Sequence, residues 1–261
     1  MDTMKAASRN ANHRISRILI VMLFVGMFAV VCSPVCAEDS TSTAANPGPD
    51  QIVYAPANGK SGPVIIAISG QSGRTAYQPY ATELAKLGYY VVLVEGKDIL
   101  NPEHTGPANL TKTIERAQHA PNAIPGKVAV IGFSLGGGGA LYNAANMPEA
   151  VSVVIVYYPY TRTWANNMEA LVKRFKVPVL MFAGGVDHYQ NCCVVESAHA
   201  MEAAAKANKA PFELVIYPEA DHGFNTQFDL HAKRNPTYRS GDTQDAWRRT
   251  LEMLTRYQPV Q

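Results

Sequence analysis

Ser134 stands in Gly132-Phe133-Ser134-Leu135-Gly136, a G-x-S-x-G pattern. It follows the apolar run Val128 to Ile131 and opens a glycine-rich stretch of helical character. Where a strand turns into a helix this sharply, the residue at the bend takes strained backbone, and the positions two before and two after must be small. A serine at the bend exposes its hydroxyl at a helix N-terminus, where the backbone dipole favours developing negative charge. The competing reading is a phosphate-binding loop, but no P-loop lysine and no G-x-G-x-x-G spacing follows. The pattern reads as a nucleophile for acyl transfer.

A serine hydroxyl needs a base to take its proton. Of seven histidines, His13 lies in the N-terminal leader, and His104, His119, His199 and His231 fall away from strand ends. His188 follows an acid, and His222 sits in "YPEADHGF" after the last strand candidate. The chain order that goes with this elbow is serine, acid, histidine, which selects His222 as base. Asp187, after "VLMFAGG", is the candidate acid that orients the imidazole. Asp221 is its rival, although a residue adjacent to the histidine reaches the far ring nitrogen poorly. Backbone N–H groups must face the oxyanion of a tetrahedral intermediate. Leu135, next after the serine, and Gln71, in the glycine loop "ISGQSG", are expected to supply them. Loops after strands also carry Arg74, Tyr158, Tyr160 and Trp164. Arg74, Tyr158 and Trp164 are the candidate substrate contacts.

These residues need a frame that brings strand ends together. Strand candidates are Ile52 to Tyr54, Val64 to Ile68, Tyr89 to Val94, Val128 to Ile131, Val151 to Tyr157, Val177 to Phe182 and Phe212 to Tyr217. Several are continuous apolar runs, as in parallel strands buried on both faces. Helical patterns alternate with them: Tyr77 to Leu87, Ala108 to His119, Gly137 to Asn146, Met168 to Phe175, Val194 to Asn208 and Thr243 to Arg256. Strand then helix, repeated, predicts an α/β domain over residues 51–261: a doubly wound, mostly parallel sheet with helices on both faces. In such sheets ligands bind beyond the carboxyl ends of the strands. The serine, the acid, the histidine and the glycine loop all fall there.

The N-terminus reads differently. Lys5, Arg9, Arg14 and Arg17 precede an apolar stretch, Ile18 to Cys32, and the small-residue site Val35-Cys36-Ala37. This is the pattern of a secretory signal peptide, residues 1–37, with cleavage expected after Ala37. The apolar stretch, at 15 residues, is shorter than the roughly 20 that span a bilayer. No stable membrane insertion is expected after cleavage, and the product is placed in the periplasm or outside the cell. Residues 38–50, rich in Ser, Thr and Pro, read as a flexible leader. Residues 1–37 hold four of 23 basic and one of 21 acidic residues, leaving 19 against 20 and a net charge of −1. That balance carries no basic footprint for nucleic acid.

Past residue 37 the only cysteines are Cys192 and Cys193. Adjacent cysteines make neither a disulfide framework nor the paired spacing of a zinc site. Neighbouring Cα atoms lie about 3.8 Å apart, closer than disulfides usually bridge, so a bond between them is expected to be strained. The pair is read as structural, opening the helix after the Asp187 loop.

The segments "ISGQSG", "GYYVVLVEG", "GFSLGGGGA", "IVYYP", "VPVLMFAGGVD" and "YPEADHGF" resemble the dienelactone hydrolase family of the α/β-hydrolases, over roughly residues 50 to 257. The resemblance implies hydrolysis of small ester or lactone substrates by a nucleophile, a histidine and an aspartate, without metal or other cofactor. Those roles fall on Ser134, His222 and Asp187. Two departures bear on substrate. Dienelactone hydrolases proper carry a cysteine where Ser134 stands, and they hold a substrate carboxylate with arginines, one shortly after the histidine. Here Gly223 to Gln227, "GFNTQ", has none, so neutral short esters are expected to be cleaved better than anionic ones. The export signal and "GFSLGGGGA" are also similar to secreted cutinase-like polyesterases, the second enzyme reading. A non-catalytic binding protein on a hydrolase scaffold is the reading from another class.

Overall fold

Runs of β-branched residues such as "GPVIIAI", "YVVLV" and "VSVVIVY" supply the strands of one seven-stranded sheet. The computed structural model describes residues 48–227 and 234–260. The signal peptide, its cleavage site after Ala37 and most of the leader 38–50 lie outside the described residues. The strands are β1 (Gln51–Tyr54), β2 (Gly62–Ile68), β3 (Tyr90–Val94), β4 (Ala123–Phe133), β5 (Val151–Tyr157), β6 (Val179–Gly184) and β7 (Phe212–Tyr217). Their order is β1-β3-β2-β4-β5-β6-β7. Only β1 runs antiparallel to its neighbour; the other pairings are parallel.

Each strand sends alternate residues to opposite faces. Val64, Ile66 and Ile68 face a core built with Leu110, Ile114, Leu171 and Met201, while Ile65 and Ala67 face another with Leu84, Ala246 and Leu254. The first core is covered by α3 (Gly106–Gln118), α4 (Leu135–Tyr142), α5 (Met168–Val172) and α6 (Val195–Asn208). The second lies under α1 (Gln78–Lys86) and α7 (Ser240–Tyr257). A further short helix, α2 (Gly96–Ile99), follows β3. The chain leaves β2 first to one side, to β3, and then to the other, to β4. That reversal opens a crevice at the carboxyl ends of β2 and β4, where doubly wound sheets bind ligands.

Two local features position the rest. Helix α4 starts directly at Leu135 rather than at Gly137, and its glycines let the backbone of neighbouring loops approach. A Cβ at Gly136 would lie 2.4 Å from the Ser69 carbonyl, and one at Gly138 would lie 2.5 Å from that of Tyr160. Away from the carboxyl ends of the strands, the buried Gln258 side chain donates to the carbonyls of Lys127 (2.7 Å) and Val64 (3.4 Å) and accepts from Ser152 Oγ (3.0 Å). Among the described residues, no helix is long and apolar enough to cross a membrane.

Candidate active site

Strand β4 ends at Phe133 and α4 begins at Leu135, so Ser134 makes the whole turn, at φ +49° and ψ −115°. A non-glycine residue there is strained and persists only where its surroundings hold it. They do so through the backbone. Ser134 N donates to Tyr157 O (3.0 Å), and Ser134 O accepts from Tyr160 N (2.8 Å) and Gly138 N (3.0 Å). A Cβ at Gly132 would lie 2.6 Å from Gly136 O, which is why small residues flank the serine.

The acid and base loops are joined by another glycine pair. Gly185 N donates to Tyr217 O (2.8 Å) and Val186 N to Ala220 O (3.1 Å). A Cβ at Gly184 or Gly185 would fall within 2.5 Å of a carbonyl of the histidine loop. With the loops this close, His222 Nδ1 lies 2.8 Å from Asp187 Oδ2, and His222 Nε2 lies 3.0 Å from Ser134 Oγ. The Asp187 side chain is wholly buried, and its other oxygen accepts from Tyr189 N at 3.0 Å. An ionised carboxylate only accepts, so Nδ1 carries the proton and the Nε2 lone pair faces the serine hydroxyl. The rival Asp221 caps the backbone instead: its Oδ1 accepts from the His222 N–H at 2.7 Å.

Two tyrosines hold the imidazole. The Tyr189 ring stacks on it, with centroids 4.5 Å apart and planes at 10°, and Tyr158 meets it edge-on at 4.7 Å. Tyr158 donates its hydroxyl to Asn225 Oδ1 (2.7 Å). Burial raises the hydroxyl pKa of Tyr158 well above the usual tyrosine value and raises that of Tyr77 as well, so both are donors rather than phenolates at neutral pH.

A cavity of about 700 Å³ opens over Ser134 and His222, walled by Gln71, Tyr77, Tyr158 and Tyr189 among others. Among the described residues lining it there is no lysine or arginine. Gln71 also borders a second cleft, which Leu135 lines together with Tyr160 and Lys97. Leu135 is the first residue of α4, so its N–H has no acceptor within the helix.

Two of the expected substrate contacts are not brought to the cavity. Arg74 pairs with Glu95 (Nε to Oε1, 3.0 Å), and Glu95 Oε2 accepts from Ser69 Oγ (3.2 Å); this network braces the loop that carries Gln71. Trp164 stacks on Tyr142 with centroids 5.5 Å apart. Tyr158, Gln71, Ser134 and His222 do line the cavity. Tyr189, Tyr77 and Thr226 join them without having been read as site residues. Tyr189 lies in the loop that follows β6, two positions after Asp187. Cys192 and Cys193 are bonded to each other just ahead of α6.

Known proteins match this architecture. The family model for the dienelactone hydrolase family matches residues 97–258. A carboxymethylenebutenolidase-like protein of Methylorubrum extorquens is 25% identical, over 88% of this chain and 89% of its own. One from Escherichia coli O157:H7 is 29% identical over 50% of this chain and 46% of its own, so in that match the chain spans about half of the relative. A solved dienelactone hydrolase-like structure from Klebsiella pneumoniae superposes with a TM-score of 0.63 over 76% of this chain and 89% of that one, at 20% identity. The doubly wound, mostly parallel sheet is thus an α/β-hydrolase fold, and the chain belongs to the dienelactone hydrolase family.

Proposed function

We propose that this protein is an exported serine hydrolase that cleaves neutral carboxylic esters or lactones through Ser134, His222 and Asp187. The observation that carries the reading is the unbroken hydrogen-bonded line from Ser134 Oγ through the imidazole to the buried Asp187 carboxylate. Ser134 Oγ attacks the carbonyl carbon while His222 Nε2 takes its proton. The oxyanion accepts from the Leu135 and Gln71 N–H groups, and a donor in that role contributes about 10²–10³ in rate. His222 then protonates the leaving alcohol, or the ring oxygen of a lactone, and the bond to it breaks. Water enters, gives a proton to His222 and attacks the acyl-enzyme, which releases the acid and restores Ser134. Asp187 holds the imidazole in the tautomer that both half-reactions need and stabilises its charged form.

The cavity walls support a neutral substrate: aromatic side chains and amides line it, and the described lining holds no permanent cation. Export rests on the basic and apolar leader that ends at Ala37. The test is hydrolysis of p-nitrophenyl acetate with labelling by a fluorophosphonate. Wild type should turn over the ester and take up the label at Ser134, and Ser134→Ala should do neither. Equal inertness of the two proteins would leave a binding protein on a hydrolase scaffold.

A further inference from the structure

Between the acid and α6 lies a segment, His188 to Cys193, that the mechanism above does not use. It contains no glycine, yet Gln190 and Asn191 both take left-handed backbone, at φ +48° and +50°. Hydrogen bonds close the turn around them. Asn191 N donates to His188 O (3.2 Å), Cys192 N to Tyr189 O (2.9 Å), and Arg162 Nη1 to Gln190 O (3.1 Å). Beyond the turn, the Cys192–Cys193 bond closes a small covalent ring that restricts the backbone of both residues. The ring is anchored in turn, since Cys192 O accepts from Thr161 N (2.8 Å), Arg162 N (3.1 Å) and Thr161 Oγ1 (3.2 Å). Both cysteines are buried, and their sulfurs lie within 4.8 Å of an imidazole nitrogen of His222.

What this construction presents to the site is Tyr189. Its N–H fixes Asp187 Oδ1, and its ring lies flat on His222 although Tyr189 is 43% exposed. A half-exposed ring has little packing of its own to keep it in place; the closed turn behind it does so. An aromatic face attracts a cation. The imidazole becomes cationic when it takes the serine's or the water's proton, so the stack gains strength in the transition state and acts on kcat.

We propose that the Cys192–Cys193 disulfide is a positioning element for the His222 base and acts through Tyr189. This rests on the reading of His222 as the base. Tyr189 is the positioning residue, and the disulfide fixes the turn that holds it. Neither sulfur takes part in bond making, and the pair need not cycle during turnover.

The experiment is a double-mutant cycle on ester hydrolysis, with Tyr189→Leu, the pair Cys192→Ser/Cys193→Ser, and their combination. Tyr189→Leu should lower kcat about tenfold and change KM by less than about twofold, the size expected for loss of a ring–cation contact. Tyr189→Phe, which keeps the ring face, should recover most of that loss. The serine pair should lower kcat to a similar extent, and adding Tyr189→Leu to it should cost little more. A wild-type kcat in the serine pair, a loss confined to KM, or losses that multiply would each overturn the proposal.

If the serine pair does not fold, the folded wild type serves instead. A phosphine with water reduces the disulfide to two thiols and becomes the phosphine oxide. In protein with labelled histidine, the His222 ring protons, assigned by their absence in His222→Gln, should sit upfield under Tyr189 and move downfield on reduction. This readout needs no turnover. A shift that responds in a protein that cleaves no ester would overturn the hydrolase reading and keep the positioning. Turnover with a shift and a kcat both indifferent to reduction would do the reverse.

Discussion

At the elbow, Ser134 alone takes a positive φ, and glycines at 132, 136, 137 and 138 make room for the backbone it bends. Between Asp187 and Cys193, two adjacent residues take one, and no glycine lies among them. The elbow is shaped by removing side chains, so that neighbouring carbonyls come within contact of bare Cα atoms. The acid loop is shaped by adding bonds: a carboxylate on a backbone N–H, a closed turn, a guanidinium on a carbonyl and a disulfide. The nucleophile must stand clear of its surroundings, and small neighbours achieve that. The imidazole must be held from several sides, and only side chains can hold it.

The largest expected effect falls on the acid loop. Asp187→Asn keeps the shape but presents an amide, which no longer favours a proton on Nδ1. We expect kcat to fall by about 10³–10⁴-fold with the fold unchanged by circular dichroism. Retention of most activity would transfer the acid's role elsewhere, Asp221 being the first to examine.

The elbow should fail through stability instead. In Gly132→Ala the new methyl lies 2.6 Å from Gly136 O and 2.7 Å from Gly137 Cα, both backbone atoms that cannot swing away. Urea unfolding should show a loss of about 3 kcal/mol, the upper part of the range for overpacking. A loss below ~1 kcal/mol would mean that the elbow does not depend on its glycines.

A smaller effect tests the wall between the two loops. The value of kcat/KM for a neutral ester should exceed that for its carboxylate-bearing analogue by about tenfold, the scale of one charged group left without its hydrogen bond. Arg74→Ala should leave that ratio alone, because Glu95 already engages the guanidinium. Preference for the anion, abolished by Arg74→Ala, would restore a carboxylate-binding role to this arginine. Smallest of all is Gln190→Gly. It relieves left-handed strain but adds chain entropy, so stability should rise by about 0.5 kcal/mol at most. A thermal-melt gain well above that would show more strain in the turn than its φ values imply.

The same contrast decides what could be read from the residues alone. Strands showed because buried parallel strands are unbroken runs of Val and Ile. The elbow showed because small residues at fixed offsets are its physical requirement. Strand β4 starts at Ala123, ahead of the run at Val128, because Pro125 and Gly126 sit inside it and disguise its first residues as a turn. Helix α2 is a single turn, too short for a hydrophobic period to appear. Loop membership was legible for Arg74 and Trp164, but the direction of their side chains was not. That direction depends on Glu95, 21 positions from Arg74, and on Tyr142, in another helix. The adjacency of two cysteines was plain, whereas their place behind Tyr189 depends on a turn that follows no glycine signal.

Gln258 has a consequence for how the chain is made. Its side chain ties together Val64, Lys127 and Ser152, which precede it by 194, 131 and 106 positions. Contacts of such separation close late, because the chain between them must first be ordered. Synthesis runs from the N-terminus, so three central strands emerge long before the amide that ties them together. The tie among these three strands therefore forms only after residue 258 has been made, and Gln258→Ala should leave the strands folded without it.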